Sequence, residues 1–252
     1  MTSTLTNEQW LSDWHDWHAN REKAILAPHG VAANTGTTWL SDDPQIIAGL
    51  PGEWVVRDGH AVDVQHNLAL APGEERHSGD KLLKVIAPRP GTIAVRVFDP
   101  SAPTRVGIAG IEAFPPDPAW VLEGRFESAP SGSTIAIQHF DGVTTDDPLS
   151  GSVQVKIAGQ HLRLAAWPSA QAGILELTFA DATNGVSTKQ FRFLTFAAPD
   201  SAGVVELDFN RAFLPPCAFG EGYLCPIPPA QNRLPFAVDA GERFPLRYDQ
   251  SW

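Results

Sequence analysis

The sequence predicts an all-β protein: an antiparallel sandwich or barrel, with an amphipathic helix at its start and an irregular Pro-rich C-terminal segment packed on it. Three observations carry this expectation. Short runs of alternating or β-branched residues recur from Trp54 to Phe209, about ten in all. Turn material separates them, as at Pro72-Gly73, Asp141-Gly142, Ala158-Gly159-Gln160 and Asn184-Gly185. No helical period lies between them, which disfavours a parallel α/β architecture.

All-β units reach roughly 200–250 residues as one body, so 252 residues are read as a single domain. It divides into an N-terminal helix over 6–27, an antiparallel β body over 50–210 and a Pro-rich cover over 211–252. In the helix, Trp10, Trp14, Trp17, Arg21 and Ile25 recur at helical spacing, so the indoles form a stripe that docks on the body. Thr6 is a candidate cap. His15 and His18 are read as surface side chains, since two histidines supply only half of a zinc shell.

The β body opens with a hairpin. Trp54–Arg57 and His60–Gln65 flank Asp58-Gly59, a pair that accepts the positive φ angles of a two-residue turn. Further strands are expected at 82–86, 92–98, 120–126, 134–139, 153–157, 161–166, 174–179, 190–196 and 204–209, with one more short strand near 37–40. Beyond Arg211, Pro215-Pro216, Pro226, Pro228-Pro229 and Pro235 remove the donors that a regular ladder needs.

Composition narrows the function classes. Eighteen Lys and Arg against 29 Asp and Glu give a formal charge of −11, which opposes nucleic acid and anionic membrane surfaces. The N-terminal residues lack a basic start followed by an apolar run, and no apolar stretch approaches the roughly 20 residues of a membrane span. A cytoplasmic location follows by elimination. In that compartment Cys217 and Cys225 are expected as free thiols, no metal site is expected from two thiolates, and the sequence leaves any cofactor open.

Several stretches together resemble an uncharacterised bacterial and archaeal family, domain of unknown function 1684. They are LDFNRAFLPPCAF at 207–219, YLCPIPP at 223–229, Asn232-Arg233-Leu234 and Ala240-Gly241-Glu242, with IAVRVFDP at 93–100, GIEAFPPDPAW at 110–120 and Gly124-Arg125-Phe126 upstream. Leu214 stands where the family usually carries Asn, and Phe191 where it carries Gly. The resemblance implies the same fold and brings no activity with it.

Candidate chemistry gathers where the strand at 204–209 gives way to the cover. Val205, Leu207 and Phe209 share one face, while Val204, Glu206, Asp208 and Asn210 share the other. The polar face either meets water or lines a cavity. Small-molecule binding beneath the Pro-rich cover is the leading expectation, with Arg96, Asp208, Asn210, Arg211 and Asn232 as polar contacts. Arg96 shares its strand face with Ala94 and Phe98, so that face is an anion-binding interior or the side chain reaches solvent along its stem. One alternative is an enzyme with Asp208 or Glu206 as acid or base near Cys217. His139 and His161 are its possible bases if the fold brings them in. Another is a protein-interaction module through residues 213–236.

Overall fold

The computed structural model describes residues 7–248. The class is mostly antiparallel β with one long N-terminal helix, as the sequence predicts. The chain forms two compact units. The N-terminal unit is Glu22–Ala109 with Phe219–Tyr223, and the C-terminal unit is Gly110–Ala218 with Leu224–Leu246 and the helix up to Arg21.

Helix α1 (Asn7–Ile25) has the expected extent; Thr6 lies outside the described residues. Trp14 and Ile25 are buried, and Trp10, Trp17 and Arg21 are half-buried, so the aromatic stripe is a packing face. His18 corrects the surface reading. One turn beyond Trp14, its ring stacks on that indole at 5.2 Å, and its Nε2 is buried without a hydrogen-bond partner among the described residues.

In the N-terminal unit β1 (Asn34–Trp39), β2 (Trp54–Arg57), β3 (His60–Asp63), β4 (Leu68–Leu70), β5 (Glu75–Ser78), β6 (Lys81–Ile86) and β7 (Ala94–Phe98) form two sheets. Their orders are β1-β7-β6-β5 and β2-β3-β4. Asp58 and Gly59 take φ of 49° and 73°, the double positive φ that the β2–β3 hairpin requires. Val85, Val95 and Leu83 from one sheet meet Trp54, Ala61 and Leu70 from the other in a core of their own. After helix α2 (Pro103–Val106), the unit is completed by Phe219–Tyr223, where Tyr223 donates to Val31 O at 2.8 Å and Thr37 Oγ1 to Gly222 O at 2.7 Å.

The C-terminal unit begins along β8 (Ile108–Ala113) and continues through β9 (Val121–Ser128), β10 (Thr134–Gln138), β11 (Thr144–Pro148), β12 (Gly151–Ile157), β13 (Gln160–Pro168), β14 (Ile174–Phe179), β15 (Arg192–Ala197) and β16 (Val204–Asp208). One sheet runs β15-β14-β13-β12-β9-β16, and its end strands approach each other, so it is nearly a closed barrel. Its inward residues, among them Val153, Leu164, Leu177, Leu194 and Leu207, form a filled core that also takes in Leu234, Val238 and Ala240 from the cover. The cover is irregular as expected up to Gly241. It then forms β17 (Glu242–Arg247), paired with β8. That strand corrects the expectation of an irregular tail. Pro245 sits within it because a two-stranded ribbon has only edge strands, which tolerate a missing donor.

Candidate functional site

A concave site lies in the N-terminal unit, between its two sheets and beside the edge strand β5. Asp63 ends β3 and closes the turn into β4. Its Oδ1 accepts from the backbone N–H groups of Gln65 at 3.0 Å and His66 at 3.4 Å, and its Oδ2 takes His66 Nδ1 at 2.7 Å. Asn67 completes the turn at a φ of 50°. Gly52, at a φ of 87°, packs directly on this carboxylate, and any Cβ there would collide with it.

Burial pushes the Asp63 carboxyl up, but the hydrogen bonds from His66 and from two backbone N–H groups together hold it below the ordinary carboxylate value. An ionised carboxylate only accepts, so Nδ1 of His66 carries the proton and Nε2 is left for another partner. The Asp63 side chain is 3% exposed and that of His66 56%. A buried anion therefore orients an accessible imidazole.

Around this pair the cavity measures about 250 Å³. Leu50, Trp54, Leu68 and Leu83 form its apolar walls, and Arg76, His77 and Ser78 of β5 complete the rim. Arg76 pairs with Leu83 across the β5–β6 ladder, which puts Arg76 and Ser78 on the same sheet face as that core leucine. A larger groove of about 540 Å³ crosses the backbone of β9, β12 and β13 between Arg125, Lys156 and Arg163. It is more open to water, which screens its charges, so the smaller cavity is the better binding geometry.

The residues singled out from the sequence fall in three places. Arg96 is in the N-terminal unit, where its Nε donates to Thr37 Oγ1 at 3.2 Å and its guanidinium lies 4.8 Å from the Tyr223 ring centre. Asp208, Asn210 and Arg211 come together at the end of β16. Asp208 Oδ1 accepts from Asn210 N and Nδ2, and Oδ2 from Arg211 Nε at 3.2 Å. Asn210 also holds Asp117 through both its N–H and its carbonyl. Asn232 stands apart, bonded to both backbone groups of Ala165 and to Thr178 O.

Of the proposed catalytic groups, Glu206 is exposed and lies opposite Glu123 in the ladder. Cys217 and Cys225 are reduced thiols, and the Cys217 N–H donates to Cys225 Sγ at 3.4 Å. The contact with Cys225 holds the Cys217 thiol below its ordinary pKa. His139 sits at the end of β10 between Leu224 O at 3.3 Å and Thr145 Oγ1 at 2.7 Å. Among the described residues, no three His, Cys, Asp or Glu side chains are grouped to hold a metal ion, and no helix is long and apolar enough to cross a membrane.

Asp63, His66 and Arg76 are the functional candidates that the sequence reading missed. Val62-Asp63-Val64-Gln65 reads as the tail of a hairpin strand. The available signal was the run Asp63-Val64-Gln65-His66-Asn67, in which a short acidic side chain can turn back on the next backbone donors.

No curated protein matches the chain. Among solved structures, a solution NMR structure of an uncharacterized protein from Haloarcula marismortui is 24% identical and covers 57% of this chain and 78% of that one, with a TM-score of 0.44. Residues 107–243 match the family described as Protein of unknown function (DUF1684). This match takes in more than half of the 252 residues, and the chain belongs to that family.

Proposed function

We propose that the protein binds a small molecule and that its ligand occupies the cavity between the two sheets of the N-terminal unit. The observation that carries this reading is the Asp63–His66 pair, an oriented imidazole beside an apolar wall containing Trp54 and Leu68. Apolar walls with a few convergent polar groups are the usual make-up of ligand sites. The volume of about 250 Å³ lies near the lower end of the roughly 300–1,000 Å³ of small-molecule pockets, which suits a small ligand.

Binding through Arg96, Asp208, Asn210, Arg211 and Asn232 has less support. The polar groups there already serve Thr37, Asp117, Ala165 and Thr178, and a ligand would have to displace those bonds. The cavity reading is tested by a fragment screen that follows the His66 ring resonances by NMR, with Leu68→Trp as the filled-cavity control. Fragments should move those resonances in the wild type and lose binding in the variant. Equal binding by both proteins would place the ligand elsewhere.

A further inference from the structure

Resting on the cavity reading above, we propose that the ligand is a small organic acid, an apolar body carrying one carboxylate that Arg76 receives. The inference comes from the balance of free donors and free acceptors around the cavity. Asp63 is the one carboxylate in the lining, and three N–H groups already occupy its two oxygens. It therefore offers little to a ligand donor or cation.

The donors are in the opposite condition. Among the described residues, the Arg76 guanidinium has no hydrogen-bond or ion-pair partner, although its strand neighbour Glu75 is paired with Lys84 at 2.7 Å. Alternation along β5 turns Glu75 to the other face and leaves Arg76 beside Leu83. A guanidinium presents a planar fork of N–H donors that matches a carboxylate with two parallel bonds. His66, held by Asp63 through Nδ1, leaves Nε2 nearby as an acceptor only, and Ser78, whose hydroxyl can donate, shares the Arg76 face. The walls of Leu50, Trp54, Leu68 and Leu83 leave the rest of the ligand no polar partner, so its body is apolar. The formal charge of −11 does not oppose this, because charges more than about 8 Å away are largely screened at physiological salt.

The test uses the full-length chain and a matched pair of probes, phenylacetate and phenylacetamide, which differ in charge and hardly in shape. Calorimetric titration should show the acid binding about tenfold or more tighter than the amide, the ratio expected when a charged hydrogen-bond pair is gained. Arg76→Gln should abolish that ratio and leave amide binding unchanged, whereas Arg76→Lys should retain part of it. Arg76 is on the rim and exposed, so these variants should fold, which a melting curve checks. If acid and amide both move the His66 resonances with equal affinity, the ligand class is wrong while the cavity reading stands. Should the acid preference survive Arg76→Gln, Arg76 is not its receptor and the proposal falls. If neither probe binds the folded wild type at millimolar concentration, the acid proposal is overturned, and the cavity reading is then decided separately by the fragment screen against Leu68→Trp.

Discussion

Asn210 and Asn232 are both fully buried, yet they should respond differently to truncation. Asn210 ties down the backbone of Asp117, an exposed residue that water can reach once the amide is gone. Asn232 instead bonds Ala165 and Thr178, which are buried inside the C-terminal unit. Leaving a buried backbone group unpaired costs about 1–3 kcal/mol, more than a bond that water replaces. Asn210→Ala should therefore cost about 1–2 kcal/mol and Asn232→Ala about 3–4 kcal/mol in urea unfolding. Asp99 supplies a pH-dependent contribution of a different kind. Ser101, through its hydroxyl and its N–H, and the Lys81 ammonium at 2.9 Å lower its pKa from 3.8 to about 2. Because the unfolded chain takes up that proton more readily, the stabilisation is present above about pH 4 and fades as pH falls toward 2. Screening at this partly exposed pair trims it to about 1 kcal/mol. Asp99→Asn should remove that amount at pH 7 and flatten the acid side of the stability profile, measured by denaturant titration between pH 2 and pH 7.

Strand β9 shows what an element can demand of one position. A Cβ on Gly124 would lie 2.5 Å from Val153 Cγ1 and 3.2 Å from the Gln154 carbonyl oxygen, so Gly124→Ala forces β9 and β12 apart within their ladder. Overpacking of this kind costs about 1–3 kcal/mol, and Gly124→Ala with Val153→Ala should recover part of the lost melting temperature by vacating the contested space. Such elements were legible in the sequence: β9, β12 and β16 stand within a few residues of their expected places because each carries a buried face that alternates with a more exposed one, and β13 and β14 do so because each carries a short apolar run bounded by turn residues. Strands such as β5, Glu-Arg-His-Ser, and β11, Thr-Thr-Asp-Asp-Pro, escaped notice because they are held by pairing at a sheet margin and have no apolar period. The cavity escaped for the same reason. Its polar rim sits on β5, and the facing of Arg76 toward Leu83 is set by register with β6, which no local pattern encodes. By contrast, the junction at Asp208, Asn210 and Arg211 was visible as a polar cluster. Asp208 caps the turn after β16 locally, but the hold of Asn210 on Asp117, 93 residues away, is set by the fold and not by any local pattern.

At the scale of the whole molecule, composition allows one β body, whereas among the described residues burial gathers many of the strands' apolar side chains into two core clusters. The buried members of one lie between Ile47 and Val97, those of the other between Val153 and Ala240. A chain with two cores can open one unit at a time, and amide exchange reports such sub-global opening separately from complete unfolding. Leu164 and Val95 have no exposed surface and belong to different cores. Truncating a buried leucine to alanine costs about 2–5 kcal/mol, and a shorter valine somewhat less. Leu164→Ala should therefore accelerate exchange across β9 and β12–β16 and leave β2–β7 near their wild-type rates, while Val95→Ala should do the reverse. Peptide-resolved hydrogen–deuterium exchange measures both patterns in one experiment. If either variant accelerates both sets of strands equally, the two cores open together and the chain behaves as the single domain that its length suggests.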